Sequence, residues 1–569
     1  MDSAKLTPQQ TRAAEAAFVG QCSLASLKPR LPLAWPMPPG TPPSPKKSYR
    51  SSYIYSFQAE VADLAQILAW KGLSNFDLVL RLVDFSSLRP VLAYLLGWQS
   101  GRGWQPFDPV SLFLLQFWQI ANYWTRSQTL RNLADPRYAD YARCFGFENG
   151  VYPSEGGVRH FLTSLGSNSD AKGKIVAVEQ GQAVVQVLVQ ELNLLLVGAV
   201  GVLREAQALS EQAWKEALLC PDGQLHDAAS QVHCISVTER CYQPCTPDQP
   251  RECPAKEKER RGCECDSLAC ANVCRHATPR DREARYVWYT GSNQSSDHPN
   301  HATQDEKSQA EHGEGHYGYR SLPLRLADSL RRFSVTVLND VRPANRHEDL
   351  PSAALLLQLK AHYPDLHVDT VAGDAGFGFD TFLHTVYTLP ARRVVDLRRH
   401  VTDQDKSLWP TRGYDDCGRP ICNYGYRLVS YGFDRQRQRH KWCCDQACLK
   451  GKEPDVRLDQ VVYPPPECPY QEQTHLHGRV IDVGEHFADA SSRLVRDVPV
   501  GGSTWKALYR RARNAVEGRN AQLEDWGLKR MPVYGLPRVK ALIFLADTLD
   551  TLTTLARLVR EATLAACAT

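Results

Sequence analysis

The stretch from Tyr509 to Lys529, YRRARNAVEGRNAQLEDWGLK, constrains this chain more than any other. Wound as an α-helix, it gathers Tyr509, Arg510, Arg513, Glu517, Asn520 and Glu524 into an arc of roughly 100°. Trp505, Leu508, Ala512, Ala515, Val516, Leu523 and Trp526 fall on the other side. One face must therefore be buried, while the other sets a carboxylate among arginines and an asparagine. That is the chemistry a metal- and phosphate-handling face needs. Taken alone, the same pattern also suits an ordinary surface helix with solvated charges.

The rest of the chain has to supply what this helix packs on. A length of 569 residues predicts about three or four domains. The net charge of +4 says little about partners, but its distribution says more. Between Gly502 and Lys540 there are nine Lys or Arg against three Asp or Glu, a local field suited to a polyanion. The first residues, MDSAKLTPQQTRAAEAAF, lack the apolar core of a signal peptide. The most apolar run, Leu192 to Leu203, is too short to span a bilayer. The sequence thus predicts a cytoplasmic, nucleoid-associated protein with no membrane partner, whose clustered cysteines favour metal over disulfides.

In chain order, residues 1–52 end in the proline-rich segment RLPLAWPMPPGTPPSPKKSYR and read as extended. Residues 53–210 read as an all-α domain for DNA contact or dimerisation. DPVSLFLLQFWQIANYW, from Asp108, opens with an Asp cap and a proline in the first turn. VRHFLTSLG from Val158 and GQAVVQVLVQELNLLLVGAVGVLREAQ from Gly181 continue the helical reading. Residues 211–540 mix apolar strands with helices and are broken by cysteine-bearing inserts at 233–300 and 401–475. Residues 541–569 form a closing helix. The predicted fold class is therefore α/β, with a mixed-sheet core behind a helical domain.

Two apolar runs in the core end on an acid beside glycine: ALLCPDG at Asp222 and VAGDAGFGF at Asp374. With Glu517 they bring three carboxylates from distant segments, the hard oxygen ligands that two Mg²⁺ or Mn²⁺ ions require. Arg513 and Asn520, one turn either side of Glu517, are placed to hold phosphate oxygens or orient the carboxylate. Asp227 competes with Asp222 for the first position, and Asp369 more weakly with Asp374.

The run HYGYRSLPLRL, VLNDVRPANRHEDL, VAGDAGFGFDTFL and YRRARNAVEGRNAQLEDWGLK resembles the DDE transposases of bacterial insertion sequences. The resemblance implies an RNase H-like catalytic core and a two-metal site on Asp222, Asp374 and Glu517. It implies cutting of transposon ends and joining of the freed 3′-hydroxyl to target DNA. Tyr509, Arg510, Arg513, Asn520, Lys529 and Arg530 would contact DNA, and two ends imply a homodimer. The chain departs from the family pattern seven residues beyond the glutamate, where Glu524 stands in place of a basic residue, and Lys529 or Arg530 is the substitute. A domesticated DNA-binding protein and an RNase H-like nuclease are the other readings of the same residues.

The first insert carries eight cysteines, of which Cys241, Cys245, Cys270 and Cys274 have spacings compatible with tetrahedral zinc. In the second, Cys422, Cys444, Cys448 and Cys468 form the preferred single site, similar to the cysteine-bearing insert of many of these transposases. Zinc there would be structural, offsetting the ordering entropy of segments poor in apolar residues.

Overall fold

The computed structural model describes residues 30–36, 48–55, 73–98, 105–147, 150–170, 175–180, 183–188, 191–229, 283–289, 314–346, 348–389, 391–396, 428–434, 439–444, 478–482, 497–498 and 503–568, with the single positions 281, 420 and 437. Helices begin where the sequence supplies caps. Ser74 and Asp77 form a reciprocal capping box at the start of α1 (Asn75–Leu82), and Thr125 and Gln128 do so at α4 (Arg126–Leu133). Between them lie α2 (Arg89–Leu95) and α3 (Pro109–Ala121). Asp108 caps α3 as its sequence predicts, and it does more. Fully buried, it accepts from the Tyr53 and Val110 amides at 3.0 Å and pairs with Arg89 at 2.8 Å. Helices α5 (Ala139–Cys144), α6 (Glu155–Asp170), α7 (Leu192–Glu205) and α8 (Glu211–Lys215) follow.

This part is not all helix. A short parallel pair joins β1 (Leu31–Pro32) to β2 (Val83–Asp84). The segment expected to be helical from Gly181 instead forms β4 (Ala183–Leu188), antiparallel to β3 (Ile175–Gln180). It is rich in valine, at Val184, Val185 and Val187, and β-branched side chains favour the pleated strand over the helix. The helical pattern takes over only at Leu192.

The run ALLCP has no polar face, so it fits the middle of a sheet covered on both sides. It forms β5 (Ala217–Pro221), buried along its whole length. Its neighbours are β9 (Leu324–Asp328), antiparallel, and β12 (Val368–Gly373), parallel. The sheet is completed by β10 (Phe333–Leu338) beside β9 and β13 (Arg392–Val395) beside β12, giving the order β10-β9-β5-β12-β13. Parallel steps need crossovers. The chain makes them with α9 (Asp349–His362) and α10 (Asp380–Thr388).

Beyond β5 the chain turns at Asp222-Gly223 into β6 (Gln224–Asp227), which pairs with β8 (Glu314–Ser321). A second sheet grows there, with β7 (Arg285–Tyr289) and β11 (Val341–Pro343) also on β8. The tail of the first insert thus returns to the core as a strand. In the second insert, β14 (Leu428–Asp434) and β15 (Arg439–Cys444) pair antiparallel, and β16 (Gly478–Asp482), just past the expected end of the insert, completes a separate antiparallel sheet.

Helix α11 (Ser503–Asp525) lies across one face of the central sheet, where Trp505, Ala512, Ala515 and Val516 meet Leu218, Cys220, Ala327, Ala372 and Val394. The expected buried stripe is therefore the packed one. The opposite face shares a single apolar core with the helical layer and α12 (Leu536–Ala568). That core runs unbroken across positions 210 and 540. Among the described residues no helix is long and apolar enough to cross a membrane.

Candidate active site

Strands β5 and β12 run parallel with Leu219 opposite Val371. Continuing that register three residues beyond this pair, to the position just past each strand, brings Asp222 level with Asp374. Adjacent strands lie about 4.8 Å apart, so the two carboxylates share one small region at the carboxyl end of the sheet. That is where open α/β sheets place their ligands. The Asp222 amide donates to the Pro323 carbonyl at 3.3 Å, holding the turn against the neighbouring strand. Asp374 is fixed by its own turn, its Oδ1 accepting from the Gly376 amide at 2.8 Å.

The polar face of α11 stands over this pair. Arg513 Nη1 lies 3.4 Å from Asp222 Oδ1, and its Nη2 lies 3.4 Å from Glu517 Oε1. Asn520 Nδ2 donates to Asp222 Oδ2 at 3.3 Å. One guanidinium therefore bridges the first aspartate and the glutamate, while Glu517 remains 61% exposed at its side chain. Tyr509 stacks on Trp505 with centroids 4.3 Å apart. Arg510 is exposed on the same helix. Lys529 and Arg530 lie past the end of α11. Lys529 pairs with Glu524 at 3.1 Å, and Arg530 makes a backbone bridge to Asp227.

The competing aspartates point elsewhere. Asp227 pairs with His316 at 2.9 Å on the second sheet. Asp369 accepts from Thr370 Oγ1 and is ion-paired with Arg392.

A fourth acid, Glu348, joins the site from the start of α9. Its carboxylate pairs with Arg320 at 2.8 Å and sits so close to Gly223 that a Cβ there would come within 2.5 Å of it. Burial raises the Glu348 pKa most, Arg320 pulls it back, and Asp374 and Asp222 raise it again, to about 7. Asp222 follows the same pattern. Burial raises it, Arg513 opposes and Asp374 adds, leaving it at about 6. Burial works against the charged form of Arg513, but Asp222, Tyr509 and Asp374 more than reverse this and raise its pKa. Burial is thus the first cause of both raised values, and repulsion among the neighbouring carboxyl groups adds to it. That donor set fits hard divalent cations, although among the described residues no three acids converge closely enough to hold an ion.

Behind α11 the stripe that packs on the core carries a charge. Arg519 is fully buried and pairs with Asp547 of α12 at 2.8 Å, both side chains 0% exposed. Its Nη1 also donates to Gln224 Oε1 at 2.6 Å and Ser321 Oγ at 3.1 Å. Ser321 is hydrogen-bonded to His226 Nε2 at 2.8 Å, and His226 Nδ1 to the Leu528 carbonyl at 2.7 Å. Asp547 accepts further from Asn339 at 2.5 Å. Arg325 adds a second tie. It pairs with Asp550 at 2.9 Å and donates to the Ala515 carbonyl at 3.2 Å. This network fixes the rotation of α11 about its axis, and so fixes which side chains face Asp222.

The expected zinc ligands Cys241, Cys245, Cys270, Cys274, Cys422, Cys448 and Cys468 lie outside the described residues. The backbone of Cys444 lies in β15, opposite Leu428. The chain matches no protein-family model, no curated protein and no solved structure.

Proposed function

We propose that the chain is a DNA transposase of the insertion-sequence type, with an RNase H-like core. It cuts transposon ends and joins the freed 3′-hydroxyl to target DNA. The observation carrying this reading is the level placement of Asp222 and Asp374 on adjacent parallel strands, under a helix that aims Arg513 and Asn520 at Asp222. Asp222, Asp374 and Glu517 would hold two Mg²⁺ or Mn²⁺ ions. Bound there, the metals would activate the attacking oxygen and stabilise the leaving one. Arg513 is then freed from its carboxylates to hold a phosphate oxygen, and Asn520 keeps Asp222 oriented. Tyr509, Arg510, Lys529 and Arg530 extend the contact along the DNA backbone, and a homodimer would pair the two ends. The cysteine-bearing inserts would each be stapled by structural zinc, measurable as metal retained per purified chain.

The test is cleavage and joining of DNA carrying the element's own ends, with Mg²⁺ or Mn²⁺, comparing wild type with Glu517→Gln. Joined product that disappears in the variant, with DNA binding intact, supports the transposase. Cleavage without joining makes the protein a nuclease. Specific binding with neither activity makes it a DNA-binding protein.

A further inference from the structure

Away from the carboxylates, the start of α12 meets α6 backbone to backbone. A Cβ on Gly166 would come within 1.8 Å of the Pro537 carbonyl oxygen. This close approach brings together the residues one and two turns earlier on the same face of α6. Arg538 Nε donates to Thr163 Oγ1 at 2.7 Å, and that hydroxyl donates in turn to the Arg159 carbonyl at 2.8 Å. Arg126, the first residue of α4, enters the same place. Burial lowers its pKa, Glu155 opposes, and Arg538 and Arg159 lower it further. Ser127, next to Arg126, engages Glu155 at the start of α6, and Arg159 lies between Glu155 and Thr163 on the same helix face, so the three arginines are drawn to one side of α6.

Among the described residues none of the three arginines is ion-paired, and the buried Arg126 Nε donates to nothing. Gathering like charges in this way works against folding. The arrangement calls for an external anion.

The loop leading into α4 also touches the end of α11. Tyr123, three residues before Arg126, lies on Gly527, where a Cβ would come within 1.5 Å of its ring. Both residues have positive φ, 53° for Tyr123 and 73° for Gly527. Lys529 and Arg530 follow directly. The three arginines thus come from α4, α6 and α12. A row spread over several elements suits a polymer with regularly spaced phosphates rather than one small anion.

We infer that Arg126, Arg159 and Arg538 form a sequence-independent phosphate-contacting patch for duplex DNA flanking the reacting position. The patch rests on the proposed function. It extends that function from the catalytic helix onto the helical layer, and it acts on binding rather than on chemistry.

The experiment measures the salt dependence of binding to a DNA duplex of about 40 base pairs and arbitrary sequence, for wild type and Arg126→Gln/Arg159→Gln. Each lost phosphate contact lowers the log–log salt slope by about 0.9, so the double variant should lose about 1.8. Arg538 is left in place because its bond to Thr163 helps seat α12. Arg137→Gln, whose side chain is paired with Asp135, should leave the slope as it is. An unchanged slope in the double variant, with DNA still bound, overturns the patch and spares the transposase reading. Absence of DNA binding by the wild type overturns both. An unchanged DNA slope together with a reduced slope on double-stranded RNA would assign the patch to RNA and overturn this proposal.

Discussion

His226 offers a pH test of the network behind α11. The Leu528 carbonyl can only accept, so Nδ1 of His226 must carry the proton and donate to it. Nε2 is then the acceptor for the Ser321 hydroxyl, whose oxygen in turn accepts from Arg519. A second proton on the ring would be cut off from solvent and would force the Ser321 hydroxyl to stop donating to the ring. Burial, reinforced by the Arg519 charge, pushes its pKa from 6.5 down to about 3. An unfolded chain takes up that proton near pH 6.5, while the folded one does not. The stabilisation is therefore complete above pH 6.5 and is lost progressively as pH falls toward 3. At about pH 5 the loss is 1.5 pH units at about 1.36 kcal/mol each, or about 2 kcal/mol. Replacement by Gln keeps a donor and an acceptor but cannot titrate. Urea unfolding of wild type and His226→Gln, followed by tryptophan fluorescence, should show the wild type's advantage shrinking by about 2 kcal/mol between about pH 7.5 and pH 5. A difference that stays constant across this range would refute the assigned tautomer and burial.

Three further outcomes follow from the same structure. Asp547→Ala strands the buried Arg519 guanidinium and should cost about 3–5 kcal/mol in the same unfolding assay, with Arg519→Met/Asp547→Leu recovering part of it. Glu348→Gln removes the fourth carboxyl charge and weakens the hold on Arg320. Under the proposed function, it should raise the metal concentration for half-maximal cleavage about tenfold, and an unchanged metal titration would remove Glu348 from the site. Gly527→Ala meets both a positive φ and the Tyr123 ring, and should destabilise by more than about 1 kcal/mol in thermal unfolding.

Strand ends and the helix face were legible because they rest on local chemistry. An apolar run closing on Asp-Gly marks Asp222, and the same logic marks Asp374. Glu348 was not legible. In the run ANRHEDL it looks like any acid at a helix start, and its place in the site depends on Gly223, far away in sequence. Arg519 leaves a sign in the sequence. At helical spacing it falls in the stripe of Ala512, Ala515, Val516 and Leu523, and Asp547 interrupts the apolar run ALIFLADTL in the same way. Two opposite charges, each alone in an apolar stripe, announce a buried pair. The strand at 183–188 was misread because a short valine-rich run carries no period long enough to separate helix from strand.

Helix α12 has a consequence for the order of assembly. It closes a core whose other members were synthesised hundreds of residues earlier, and it carries the counter-charge for Arg519. Chains grow at about 5–20 residues per second, so the early helices wait on the ribosome for tens of seconds with their apolar faces uncovered. The face of α11 that meets Asp222 is then set only when α12 docks, as a late event. An interrupted translation product would carry Asp222, Asp374 and even Glu517 in its sequence, yet lack the α12 contacts that hold α11 at its working rotation.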